Sequence, residues 1–160
     1  MSTLIIEPDP PGRADSLDIT GDWSITYSWA PEQAPVASRD PTYRVHFEVT
    51  GPGTYGGVRF KGPFVDDWTG AALPHTHGAA AQPGVFYGET LYDGRGVHLV
   101  QMVMYYDVNR YYELHSGKHV VDLPAGEPVQ VNGAYVDVGA PRGTKSAGQG
   151  YFGQFRMLKV

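Results

Sequence analysis

The frequency with which glycine and proline interrupt this chain limits its fold more than any other feature. Of 160 residues, 21 are Gly and 13 are Pro, about a fifth, where an average globular chain carries roughly 12%. Only one stretch longer than ten residues, Val97 to Ser116, is free of both. A Gly inside a helix costs about 1 kcal/mol relative to Ala, and a Pro about 3 kcal/mol. Long helices, bundles and coiled coils are thereby excluded, and short extended segments joined by turns remain.

Between the breakers the chain alternates with period two. Trp23, Ile25, Tyr27 and Trp29 share one face of a predicted strand, with Asp22, Ser24, Thr26 and Ser28 on the other. Tyr43, Val45, Phe47 and Val49 repeat the pattern after the loop Ala30–Pro41, and a third strand is expected near Tyr55–Lys61. Strands resume at Val85–Tyr92, and Asp93–Gly96 turns into Val97–Asp107, which is apolar on both faces. Such a strand is expected to be covered twice, by a barrel interior within and by another layer or subunit without. Tyr111–His115, Lys118–Asp122, Val129–Val131, Ala134–Val138 and Tyr151–Val160 complete the set, with Asn132-Gly133 read as a two-residue hairpin turn. The expectation is one all-β domain over residues 21–160, an antiparallel barrel or jelly roll of about nine strands. Residues 1–20 are expected to form a flexible tail or lid.

Several function classes fall away on composition. The net charge is −5 and Lys and Arg do not cluster, so the footprint of a nucleic-acid backbone is missing. No apolar run approaches the length of about 20 residues that crosses a bilayer as a helix, so no membrane partner is expected. The N-terminal residues lack the basic start and apolar stretch of a signal peptide, which makes the cytoplasm the expected address. Without cysteine there is no disulfide or thiolate chemistry, and any metal must be held by His, Asp or Glu. A Gly-x-Ser-x-Gly elbow and a glycine-rich phosphate loop before a helix are also absent.

The segment Trp68–Gly84 follows neither period, and a long loop inside a compact domain is more often functional than not. It carries His75 and His77, which on extended backbone point to the same side and can converge on one divalent metal; a pair of exposed loop histidines is the plainer reading. The run Asp67 to His77, with its glycine, proline and His-x-His, resembles the first motif of the cupin superfamily. Tyr111 to Pro128, with Pro124-Ala125-Gly126, is similar to the second. That resemblance implies a metal-dependent oxygenase or isomerase holding Fe, Mn, Ni or Zn. This chain departs from the pattern at two ligands. The first carboxylate after His77 is Glu89, twelve residues on, and Val129 stands where the family has its last histidine. The implied set is therefore His75, His77 and Glu89, with His98, His115 or His119 as substitutes.

Gly21-Asp22-Trp23 opening a strand resembles the Gly-x-Trp start of lipocalin-type barrels. There the tryptophan closes the floor beneath a basic side chain from a late strand, here Arg156 or Lys159. Both resemblances lead to a closed β-structure with an interior. Tyr27, Tyr87, Met102, Met104, Tyr106 and Phe155 are candidates to line it, with Gln101 as a polar contact, offering flat walls, adaptable thioethers and phenol tips. The bland alternative is a filled core. Asp66 and Asp67 are candidate carboxylates at a cavity mouth. The expected function is cofactor-free isomerisation, cyclisation or a related rearrangement of a small hydrophobic molecule. His75, His77, Tyr106 and Glu89 are the candidate catalytic groups. The alternatives are the cupin-type metal enzyme and a non-catalytic binding barrel, and a homodimer is compatible with the doubly apolar strand.

Overall fold

A computed structural model of the chain describes residues 17–29, 42–66, 82–92, 98–106, 111–137 and 152–160. They form eight strands: β1 (Gly21–Trp29), β2 (Thr42–Pro52), β3 (Val58–Asp66), β4 (Gln82–Tyr92), β5 (His98–Tyr106), β6 (Tyr111–His119), β7 (Gln130–Asp137) and β8 (Phe152–Lys159). Each pairs antiparallel with the next, and β8 returns to pair with β1. The result is a closed meander barrel, without the crossing connections of a jelly roll. Closure leaves no raw strand edge, which a chain of short strands otherwise has to protect. No helix long and apolar enough to cross a membrane occurs among the described residues.

The period-two reading places side chains correctly along β1 and along β2 as far as Phe47; Val49, expected on the inner face, is exposed instead, where the register with β3 shifts. Trp23, Ile25, Tyr27, Tyr43, Val45 and Phe47 are buried inside, while Asp22, Arg44, His46 and Glu48 face out. The strands number eight, close to the nine expected. Asn132-Gly133 is not a turn but the middle of β7, and Tyr111–His115 is continuous with Lys118 and His119 in β6. Gly133 pairs directly with Gly117 on β6 and with Phe155 on β8. A Cβ on Gly133 would lie 2.5 Å from the Gly117 Cα and 2.7 Å from Phe155 Cε1, so the two glycines provide the space under the Phe155 ring. The third strand starts at Val58 rather than Tyr55, because the Gly53 N–H donates to the Gly57 carbonyl at 2.8 Å and closes a turn there.

One end of the barrel is a floor. Gly21, with φ of +98°, takes the left-handed conformation that glycine tolerates best and turns the chain from residues 17–20 into β1. Leu17 and Ile19, just before it, are buried. The Trp23 indole N–H donates to the Ile19 carbonyl at 2.8 Å. Lys159 Nζ stands 5.8 Å from the Trp23 ring centroid, donates to the Asp18 carbonyl at 2.9 Å and lies 3.2 Å from Asp18 Oδ2. Of the two basic candidates on the last strand, Lys159 therefore makes the cation–π contact. Ile25, Phe47, Phe60, Val100, Val131 and Met157 fill the space around it, each burial stabilising by about 1.5–3 kcal/mol.

The opposite end receives the C-termini of β1, β3, β5 and β7 and the N-termini of β2, β4, β6 and β8. The connecting segments 30–41, 67–81, 107–110 and 138–151 join strands there. His75, His77, Trp68 and Asp67 lie outside the described residues, as do residues 1–16 and the predicted turn at Asp93–Gly96.

Candidate functional site

Strand β6 reverses the usual distribution of polarity. Its apolar Leu114 faces out, while Glu113, His115 and His119 face in and are buried. Its register with β5 imposes this, since His115 pairs with Met102 and Leu114 with Val103. Three polar side chains are thereby placed in an interior otherwise built from rings and aliphatic groups. Burying a polar group costs about 1–3 kcal/mol unless it finds a partner.

His115 finds part of what it needs across the lumen. Its Nε2 lies 2.7 Å from the Tyr27 hydroxyl oxygen, although Tyr27 is on β1, a strand that does not neighbour β6. Glu113 Oε1 lies 3.9 Å from the same nitrogen. Rings enclose the imidazole. Tyr135, opposite it on β7, stacks at 5.9 Å and 26°, Phe155 meets it edge-on at 5.2 Å, and Phe86 does so at 5.8 Å. Tyr27 also packs edge-on to Tyr135 at 5.1 Å and to Tyr43 at 5.6 Å. Nδ1 of His115 makes no hydrogen bond to a described residue.

Burial pushes the His115 pKa down to about 3, outweighing the Glu113 peptide group, which favours the charged form. The imidazole is therefore neutral at ordinary pH and carries one N–H. The Tyr27 hydroxyl oxygen lies 2.7 Å from His115 Nε2 and 3.9 Å from Met104 Sδ, the thioether being a weak acceptor. The imidazole tautomer decides which atom donates in the Tyr27–His115 bond; with the hydroxyl as donor, Nδ1 carries the ring hydrogen.

The residues singled out in the sequence divide by face. Tyr27, Met102, Met104 and Phe155 are inside and buried. Tyr87 and Gln101 are corrected to the outer wall, where both are exposed. On β4 it is Phe86, Gly88 and Thr90 that face in, and on β5 Val100, Met102 and Met104, so residues of the other parity must face out. Glu89 shares the parity of Tyr87. Its carboxylate accepts the Thr54 backbone N–H, and this bond, with the Arg59 charge in support, holds its pKa below the ordinary carboxylate value. It sits seven residues along β4 from Gln82, about 23 Å at 3.3 Å per residue from where segment 67–81 rejoins the barrel. The strands thus do not bring Glu89 to that end. Tyr106 is the last residue of β5 and Asp66 the last of β3; both side chains, like His75 and His77, lie outside the described set. His98 and His119 face each other with centroids 6.1 Å apart near the floor. Among the described residues, no three His, Asp or Glu side chains converge as a metal site would require.

Sequence reasoning undervalued Glu113 and His115. The usable signal was the parity of β6, where Glu113, His115, Gly117 and His119 fall on one face; the split into two short strands concealed it. Outside the barrel, a groove of about 680 Å³ runs from Tyr87 and Glu89 on β4 across β5 and β6 to Val136 on β7.

Comparison of the chain with protein-family models, with curated proteins and with solved structures finds no match. What defines its class is the architecture itself, a closed eight-stranded antiparallel meander barrel. Its interior holds a buried tyrosine–histidine pair within a wall of aromatic rings.

Proposed function

We propose that the barrel holds a small hydrophobic molecule bearing a carbonyl or ether oxygen. In this reading His115 Nδ1–H donates to that oxygen and so assists an isomerisation, cyclisation or related rearrangement without a cofactor. The observation that carries the reading is the His115 Nδ1 atom, fully buried and without a hydrogen-bond partner among the described residues. A group left so forfeits about 1–3 kcal/mol, which a bound acceptor restores. The enclosing rings of Tyr27, Phe86, Tyr135 and Phe155 suit a flat apolar body, and the flexible Met104 thioether beside the Tyr27 hydroxyl can give way to it.

The chemistry follows from the depressed pKa. An imidazole that does not protonate acts as a fixed electrophile rather than as a proton-transferring acid. Its N–H stabilises the negative charge that gathers on a conjugated carbonyl oxygen as a hydroxyl of the same molecule adds to the double bond and closes a ring, the hydroxyl proton passing to the enolate carbon. The Tyr27 hydrogen bond holds the tautomer that makes this possible. One such preorganised donor is worth about 10²–10³ in rate.

The test uses 1-tetralone, an apolar bicyclic ketone, as probe. Saturable binding with a lowered carbonyl stretching frequency in the infrared is expected, and His115→Phe, which keeps ring volume but removes the donor, should abolish the shift. Tyr27→Phe should weaken it by releasing the tautomer. No binding, or an equal shift in His115→Phe, overturns the proposal. Binding with the shift but no turnover of any enone reduces the protein to a binding barrel.

A further inference from the structure

Arg156 is the basic residue of the last strand that the floor does not use. Phe155 and Met157 on either side of it are buried, so Arg156 faces out and is exposed. Register places it between Thr26 on β1 and Asn132 on β7, and the next row toward the end opposite the floor reads Ser28, Gln154, Ala134. Together with Gln130 these side chains border a groove of about 750 Å³ on the outer wall. Its bed includes Gly133 and Ala134, which carry at most a methyl group, so the hollow lies between the longer side chains around them.

The groove is all amide and hydroxyl apart from one cation. Arg156 is the one charged group among the described residues that line it, and it makes no ion pair with a described residue. Nearby acids are engaged elsewhere, Asp22 with His46 at 2.8 Å and Asp18 with Lys159 at 3.2 Å. In a chain with a net charge of −5, an arginine set among uncharged polar groups is a local positive site. Beside it, Gln130 Nε2 donates to Asn132 Oδ1 at 2.8 Å. That bond engages the Asn132 acceptor and leaves its Nδ2 hydrogens to offer next to the guanidinium.

We propose that this groove binds an acidic sugar, a hydroxylated ring bearing one carboxylate or phosphate. The guanidinium fork with the Asn132 amide addresses the oxyanion through parallel N–H bonds, which are stronger to a charged acceptor than to a neutral one. The Ser28 hydroxyl and the Gln154 amide each donate and accept, as ring hydroxyls do; Thr26 Oγ1, 3.1 Å from Thr42 Oγ1, keeps one of the two roles for a ligand. A single arginine gives no track of phosphate contacts, so a nucleic-acid backbone does not fit. The volume lies within the range of about 300–1,000 Å³ that small-molecule sites occupy.

The test follows backbone amide resonances of the full chain under titration with glucuronate, glucose 6-phosphate, glucose, acetate and inorganic phosphate. Each is taken to about 10 mM, roughly ten times a millimolar dissociation constant. Saturable shifts at Gly133, Ala134, Gln154 and Arg156 are expected with at least one acidic sugar, and the tighter of the two identifies the oxyanion. Glucose should bind at least about tenfold more weakly, as should the bare anions. Arg156→Gln, a change on the exposed wall, should weaken the acidic sugar at least about tenfold with an unchanged circular dichroism spectrum, whereas Arg44→Gln on β2, outside the groove, should leave it as it is. No saturable shift with either acidic sugar, glucose or a bare anion binding as tightly as the acidic sugar, or an unchanged affinity in Arg156→Gln overturns the proposal.

Discussion

A histidine sealed inside a barrel has to remain neutral, and this determines how His115 couples folding to pH. Its folded pKa is pushed down to about 3, whereas an unfolded histidine titrates near 6.5. Between these values the unfolded chain binds the proton and the folded chain does not. The stability contributed by keeping His115 neutral is complete above about pH 6.5. It is lost as pH falls toward 3, by about 1.4 kcal/mol per unit. In urea unfolding, the advantage of wild type over His115→Phe should therefore shrink by about 2 kcal/mol between pH 7.5 and pH 5. An advantage independent of pH would mean that the imidazole is hydrated in the folded state. The sequence displays a histidine at 115 but not its burial. That depends on Tyr27, 88 positions away, and on rings from three other strands.

At the level of elements, β6 and β7 depend on glycines that leave room rather than make turns. Gly117 and Gly133 pair across the two strands and lie beneath the Phe155 ring. Gly133→Ala would drive a methyl group against the Ser116 carbonyl oxygen and to 2.5 Å from the Gly117 Cα. Backbone cannot yield there as a flexible side chain would. The substitution should cost about 2 kcal/mol or more, read as a lower urea midpoint at unchanged slope. An Asn-Gly pair between apolar runs is a strong hairpin signal locally. Here pairing on both sides of β7 overrides it, because a turn at that point would forfeit the ladder to β6 and to β8. The same register turns Tyr87, Glu89 and Gln101 outward. Their residue types fit a binding site; only the position of β4 and β5 in the barrel decides which face they occupy.

For the molecule as a whole, the critical contact is between its ends. β1 and β8 close the ring, and Lys159 ties β8 to the Trp23 ring and to Asp18 ahead of β1. Lys159→Met keeps most of the stem packing while removing the charge, so it should lower stability by about 0.5–1 kcal/mol. Because the floor lies far from His115, this loss should add to that of His115→Phe; a non-additive double variant in urea unfolding would show the two ends to be coupled. Dense glycine and proline together with period-two alternation determined, from sequence alone, that the chain forms short antiparallel strands and a closed β-structure. These are local signals that hold wherever the segment sits. Strand number, the meander order, the buried Tyr27–His115 bond and the polar groove on the outside were decided only by tertiary structure. Each depends on which residues stand opposite one another, and a shift of one residue in register would exchange the inside of the barrel for its outside.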